Sequence, residues 1–123
     1  MKLAEIKQED EKILEIVQKT LEDNKAEDVV VIDLRGKTSL ASFMVVASGT
    51  SQRHVASLAE KVQENLKASG LKSTTEGEEK ADWVLIDAFD VIIHIFKPEV
   101  REFYSIEKMW QSVGVKRAKV ASN

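Results

Sequence analysis

Residues 82–96 read DWVLIDAFDVIIHIF, an apolar run that carries Asp82, Asp87, Asp90 and His94, one of two histidines in the chain. Carboxylates near an imidazole are the ingredients of general acid–base catalysis or of a metal site. The spacing argues otherwise. Asp87 and Asp90 are three apart, so on a continuous strand they face opposite sides and cannot share a proton or an ion. If Ala88-Phe89 makes a tight turn the two acids come closer, but as turn residues, because Asp readily hydrogen-bonds its own backbone. A second candidate is Ser48-Gly49-Thr50-Ser51 ahead of Gln52-Arg53-His54. Hydroxyls beside a histidine could serve a hydrolase, yet no G-x-S-x-G elbow is present and no Asp is placed to orient the base. A turn opening a helix can also cradle an anion on its N–H groups. There is no P-loop lysine and no G-x-G-x-x-G, so helix capping is the expected use. His54 falls in the first helical turn, where the dipole disfavours imidazolium. Neither histidine has a second at i+3 or i+4, and no metal and no cofactor are expected.

The elements that must position these residues follow from patterning. The 123 residues suit one domain, with 43% apolar and 32% charged residues, a globular composition. Cysteine is absent, which excludes disulfides and thiolate chemistry. A net charge of −3 is a poor footprint for phosphate backbones and better suited to a basic protein partner. With no signal-peptide core and no membrane-length apolar run, a cytoplasmic protein is expected, or an organelle-matrix one after processing.

Residues 9–23 place Ile13, Leu14, Val17 and Leu21 at helical spacing. Residues 29–34 and 42–47 are short β-branched runs, separated by an Arg35-Gly36-Lys37 turn. Val55, Leu58, Ala59, Val62 and Leu66 form one helical stripe, with Thr50 or Ser51 as N-cap and Gly70 as the left-handed residue past the end. Residues 71–80 are expected to be a loop. Residues 82–96 make two strands, in which Trp83, Leu85 and Asp87 share one face and Val84 and Ile86 the other, while Ile92, His94 and Phe96 alternate with Val91, Ile93 and Ile95. Asp87 and His94 mark the less buried face, which leaves Trp83 and Leu85 on the open side. Pro98 opens an aromatic-rich helix to Trp110. The order is helix, strand, strand, helix, strand, strand, helix: an α/β (α+β) fold with a mixed sheet of four or five strands. The unit at 42–87 is expected to be a parallel crossover and the flanking strand pairs antiparallel. Residues 1–111 are the domain and 112–123, with Lys116, Arg117 and Lys119, a basic flexible tail.

The segments GKTSLASFMVVASGTSQRHVASLAEKV, EGEEKADWVLID, DVIIHIF and EVREFYSIEKMW, in this order and spacing over about residues 9–111, resemble the Iojap family of ribosomal silencing factors. The resemblance implies a nucleotidyltransferase-like fold without the spaced carboxylates that phosphoryl transfer needs. It implies a non-enzymatic protein that binds ribosomal protein fourteen of the large subunit and sterically blocks joining of the small subunit, lowering translation in starvation or stationary phase. Carried onto this chain, the contact residues are Trp83, Leu85, Asp87, Asp90 and His94, with Tyr104 and Trp110. Asp87 and Asp90 would accept lysine or arginine of the basic partner, and Trp83 would be the apolar anchor. A homodimer is permitted, no membrane is involved, and direct RNA contact is minor or absent. Phe89 stands where the family usually has Gly, and Ser42 where it commonly has an acidic or amide residue. The readings from other classes are a nucleotidyltransferase-like enzyme and a large-subunit assembly factor without silencing activity.

Overall fold

The computed structural model describes the backbone of residues 3–104 and 115–117 and the side chains of residues 9–102. In chain order the elements are α1 (Leu3–Asp23), β1 (Glu27–Asp33), β2 (Phe43–Ser48), α2 (Gln52–Ala68), β3 (Thr74–Glu76), β4 (Trp83–Ala88), β5 (Val91–Phe96), α3 (Pro98–Tyr104) and β6 (Val115–Arg117). All strands join one sheet in the order β3-β4-β5-β2-β1-β6. The four longer strands are those expected from the sequence, and two three-residue strands extend the sheet at its edges.

One face of the sheet is covered by α1 and α2. Ile13, Val17 and Leu21 of α1 and Val55, Leu58, Ala59, Val62 and Leu66 of α2 pack on Val29, Val31, Phe43, Val45, Val84, Ile86, Val91, Ile93 and Ile95. Each fully buried aliphatic side chain contributes about 1.5–3 kcal/mol of transfer free energy. The opposite face gathers Val30, Ile32, Leu34, Met44, Val46 and Phe96, with Trp83, Ile92 and Val100 against them. β1 and β2 therefore read as unbroken apolar runs, because both of their faces are dry. β4 alternates, with Val84, Ile86 and Ala88 buried and Trp83, Leu85 and Asp87 more open.

Ser51 is the N-cap of α2 and accepts the His54 N–H on its hydroxyl, and Gly70 follows the helix end at φ +78°. Three expectations change. The segment 71–80 is not all loop, since Thr74–Glu76 pairs antiparallel with β4. That extra strand reverses the chain once more, so the parallel partner of β2 is β5 and not the strand at 83–88. Finally, Val115–Arg117 of the expected flexible tail pairs antiparallel with β1. The expected continuation of α3 to Trp110 lies outside the described residues.

The hairpin between β4 and β5 turns on Phe89 and Asp90, with Ala88 opposite Val91. Phe89 has φ +62° and is 69% exposed. A positive φ at the first central residue is the geometry that favours Gly in two-residue hairpins. Holding an L side chain there costs about 1–2 kcal/mol, and the exposed ring has little packing to offset it. Replacing Phe89 with Gly is expected to raise stability by about 1 kcal/mol, read as a higher urea midpoint with an unchanged slope.

Candidate docking face

The acids that first draw the eye are dispersed. Asp82 precedes β4 and accepts from Gln52 Nε2 at 2.9 Å, with Lys97 Nζ 3.8 Å away. Its carbonyl takes the Lys97 N–H, which ties the start of β4 to the start of α3. Asp90 lies beyond the other end of β4, a strand about 17–20 Å long. Asp87 is exposed on the sheet face opposite α1 and α2. No three His, Asp or Glu side chains among the described residues could hold a metal ion together.

Asp90 does more in the turn than its position implies. Its carbonyl accepts the N–H groups of Ser42 and Phe43, and Ser42 Oγ donates to Asp10 of α1 at 2.7 Å. A hydrogen bond with Asp10 holds the Asp90 carboxyl above its ordinary range, and burial and the charges of Asp10 and Glu9 push it the same way. Ser42, where an acid or amide was expected from the resemblance, thus bridges α1 to the β4–β5 turn. No local signal marks this cluster, because its members come from residues 10, 42 and 90.

The turn at 48–51 is fully employed in holding the fold. Gly49 donates to Phe96 O, and a Cβ on Gly49 would come within 2.9 Å of the Val55 N and 2.8 Å of its Cγ2. The glycine is there for close packing against α2. The Thr50 N–H donates to His54 Nδ1 at 2.9 Å, so Nδ1 is unprotonated and Nε2–H donates to Asn24 O at 2.9 Å. Thr50 Oγ1, 3.2 Å from the same nitrogen, shares a lone pair already committed to the backbone. Ser48 Oγ accepts from buried Arg101, whose Nη1 also donates to Asp28 O at 2.7 Å. Both the anion-cradle and the hydrolase arrangements are thereby used up as clamps.

Among the described residues, the less covered side of β4 and β5 is their second face. The register sets Trp83 opposite Phe96, Leu85 opposite His94 and Asp87 opposite Ile92. Trp83, Leu85 and Ile92 are half-buried and Asp87 is exposed, so this strip is apolar with an acid at one end. Ile92 lies on the same strip as the expected contact residues Trp83, Leu85 and Asp87, and strand parity with His94 was the signal that could have placed it there. His94 does not fit the expectation of an open position: it is 8% exposed. The reason is aromatic cover. Trp83 lies 4.9 Å from Phe96 and 5.8 Å from His94 between ring centroids, and its Nε1–H donates to His94 Nδ1 at 3.0 Å. Burial lowers the His94 pKa to about 4. Tyr104 ends the described part of α3, and Trp110 lies outside the described residues.

Two titrations of opposite sign follow. His94 holds its proton less readily folded than unfolded, so its contribution is present above pH ~6.5 and is lost as pH falls toward about 4. A His94→Phe variant lacks this titration. Its stability deficit against the wild type is expected to narrow by about 3 kcal/mol between pH 7 and pH 4, measured by denaturant midpoints across that range. Asp90 behaves conversely, since its raised value means that stability is lost as pH rises through it. Asp90→Asn is expected to melt higher than the wild type at pH 7 and to lose that advantage in acid.

With this geometry in place, comparison with known proteins is informative. Residues 7–122 match the family model "Ribosomal silencing factor during starvation". The ribosomal silencing factor RsfS of Zymomonas mobilis is 48% identical over 101 residues, covering 81% of this chain and 76% of that protein. A mouse protein named "Mitochondrial assembly of ribosomal large subunit protein 1" is 31% identical over 79% of this chain and 44% of its own length. A crystal structure from Chromobacterium violaceum superposes with a TM-score of 0.81 at 39% identity, covering 90% of this chain and 91% of that one. The chain belongs to the ribosomal silencing factor family.

Proposed function

We propose that the protein silences translation by docking on the large ribosomal subunit, through ribosomal protein fourteen, and blocking small-subunit joining by occupying the surface where the two meet. It acts by occupancy and not by catalysis, in the compartment where its ribosomes work, the cytoplasm. The observation that carries this reading is a half-buried Trp83, hydrogen-bonded to His94 on the second face of the sheet, flanked by Leu85 and Ile92 and bordered by exposed Asp87. A pre-ordered aromatic with apolar neighbours and a charged rim is the composition of a binding hot spot. Asp87 makes no ion pair among the described residues and suits a basic partner. Against an enzyme stands the turn at 48–51, whose Thr50 N–H and Ser48 hydroxyl are already committed inside the fold.

The test is sedimentation of separated subunits at a magnesium concentration that lets them join. The wild-type protein is expected to travel with large subunits and to deplete joined ribosomes. Trp83→Ala is expected to weaken that association by tenfold or more, on the scale of about 2 kcal/mol for a central aromatic, with the far-ultraviolet circular dichroism unchanged. Wild-type affinity in this variant would overturn Trp83 as the anchor. Binding confined to immature particles, with no effect on joining, would replace silencing with an assembly role of the kind the mouse relative's name describes.

A further inference from the structure

A partner-facing tryptophan commonly offers its indole N–H across the interface. Here that donor points inward. Trp83 Nε1 is 3.0 Å from His94 Nδ1, on a side chain that is 8% exposed. Indole nitrogen can only donate, so His94 Nδ1 must be the acceptor and the ring must be the neutral tautomer with its proton on Nε2. An imidazolium would set two N–H groups against each other. The surroundings agree: across the sheet His94 faces Leu85 on β4 and Val46 on β2, neither of them charged. Burial alone accounts for its displaced pKa, with no charged neighbour contributing. The His94 ring lies nearly parallel to Phe96, at 12° and 5.8 Å, and Trp83 stacks over Phe96 at 27°. Among the described residues, the stack with Phe96 and His94 and one directed hydrogen bond hold the indole in place.

We propose that His94 is a positioning residue of the docking face: as a neutral acceptor it locks the Trp83 indole, so that the surface presents a fixed aromatic ring. This inference rests on the docking reading above, and it narrows the chemistry of the partner. With the N–H directed into the fold, a partner group that meets the indole does so as an aliphatic or cationic side chain against the ring, not as a hydrogen-bond acceptor at its edge. Asp87 at the end of the strip favours the cationic choice. Locking the indole in advance removes rotamer freedom that binding would otherwise have to freeze out.

The experiment has two arms, both on the full chain. Nitrogen-15 correlation spectra of the histidine rings at pH 7 are expected to show His94 neutral with its proton on Nε2; an Nδ1–H tautomer or an imidazolium would overturn the proposal whatever the ribosome does. In the sedimentation assay, His94→Phe keeps an aromatic in the stack but removes the acceptor, and His94→Asn returns an oxygen close to the place of Nδ1. The Phe variant is expected to bind large subunits about tenfold more weakly, and the Asn variant to recover much of that loss. Tryptophan anisotropy in a Trp110→Phe background should fall in the Phe variant and rise again in the Asn variant. Wild-type affinity and anisotropy in His94→Phe would overturn the proposal, as would an Asn variant no better than Phe. If the wild-type protein binds no subunit while the tautomer is as expected, the docking reading fails and the partner inference fails with it.

Discussion

The structure depends on covering both faces of a sheet with helices packed mainly on one. α1 and α2 dry the first face through an extended apolar layer. The second face also carries Val30, Ile32, Met44, Val46 and Phe96, none of which can be left wet at low cost. Trp83 is part of the answer: its ring closes over Phe96 and His94 and is itself only half-buried. The same side chain therefore packs on the core and belongs to the proposed docking face. A Trp can do both because its area is large and its one polar atom can be satisfied from within.

The polar side chains at the ends of the elements are likewise occupied within the fold. Asp82 is held by Gln52 and approached by Lys97, Ser48 by Arg101, His54 by Thr50 and Asn24, and Asp10 by Ser42. Each ties one element to another near an end of the sheet, where ladder hydrogen bonds run out. Buried polar groups of this kind are costly unless paired. In the turn at 48–51, where the sequence resemblance implies a likeness to enzymes of phosphoryl transfer, the Gly49 and Thr50 N–H groups and the Ser48 hydroxyl are engaged within the scaffold.

How much could be foreseen depended on the range of the signal. Strand parity in residues 82–96 correctly sorted Val84 and Ile86 from Trp83, Leu85 and Asp87, because alternation is a property of adjacent residues. The capping of α2 by Ser51 and the left-handed Gly70 were legible for the same reason. β3 was missed because Thr74–Glu76 is short, polar and defined mainly by its partner in β4. Missing it inverted the direction assigned to the strand that follows, so the parallel neighbour of β2 was misplaced. His94 was misjudged because its burial comes from a tryptophan eleven residues away in sequence. Phe89 kept the strained turn geometry that a glycine would take, an outcome that composition alone cannot decide.

β6 has a consequence for how the molecule comes into being. Val115–Arg117 supplies the outer neighbour of β1 through pairs with Val30, Val31 and Ile32. Those three residues are the apolar heart of β1, and an unpaired strand of that kind is a template for adhesion to other chains. During synthesis β1 and β2 can pair early, yet the far side of β1 stays bare until translation has run past residue 117 and that segment has cleared the exit tunnel. Until that segment pairs, the growing chain carries one edge of β1 uncovered, and β6 is the piece that closes it.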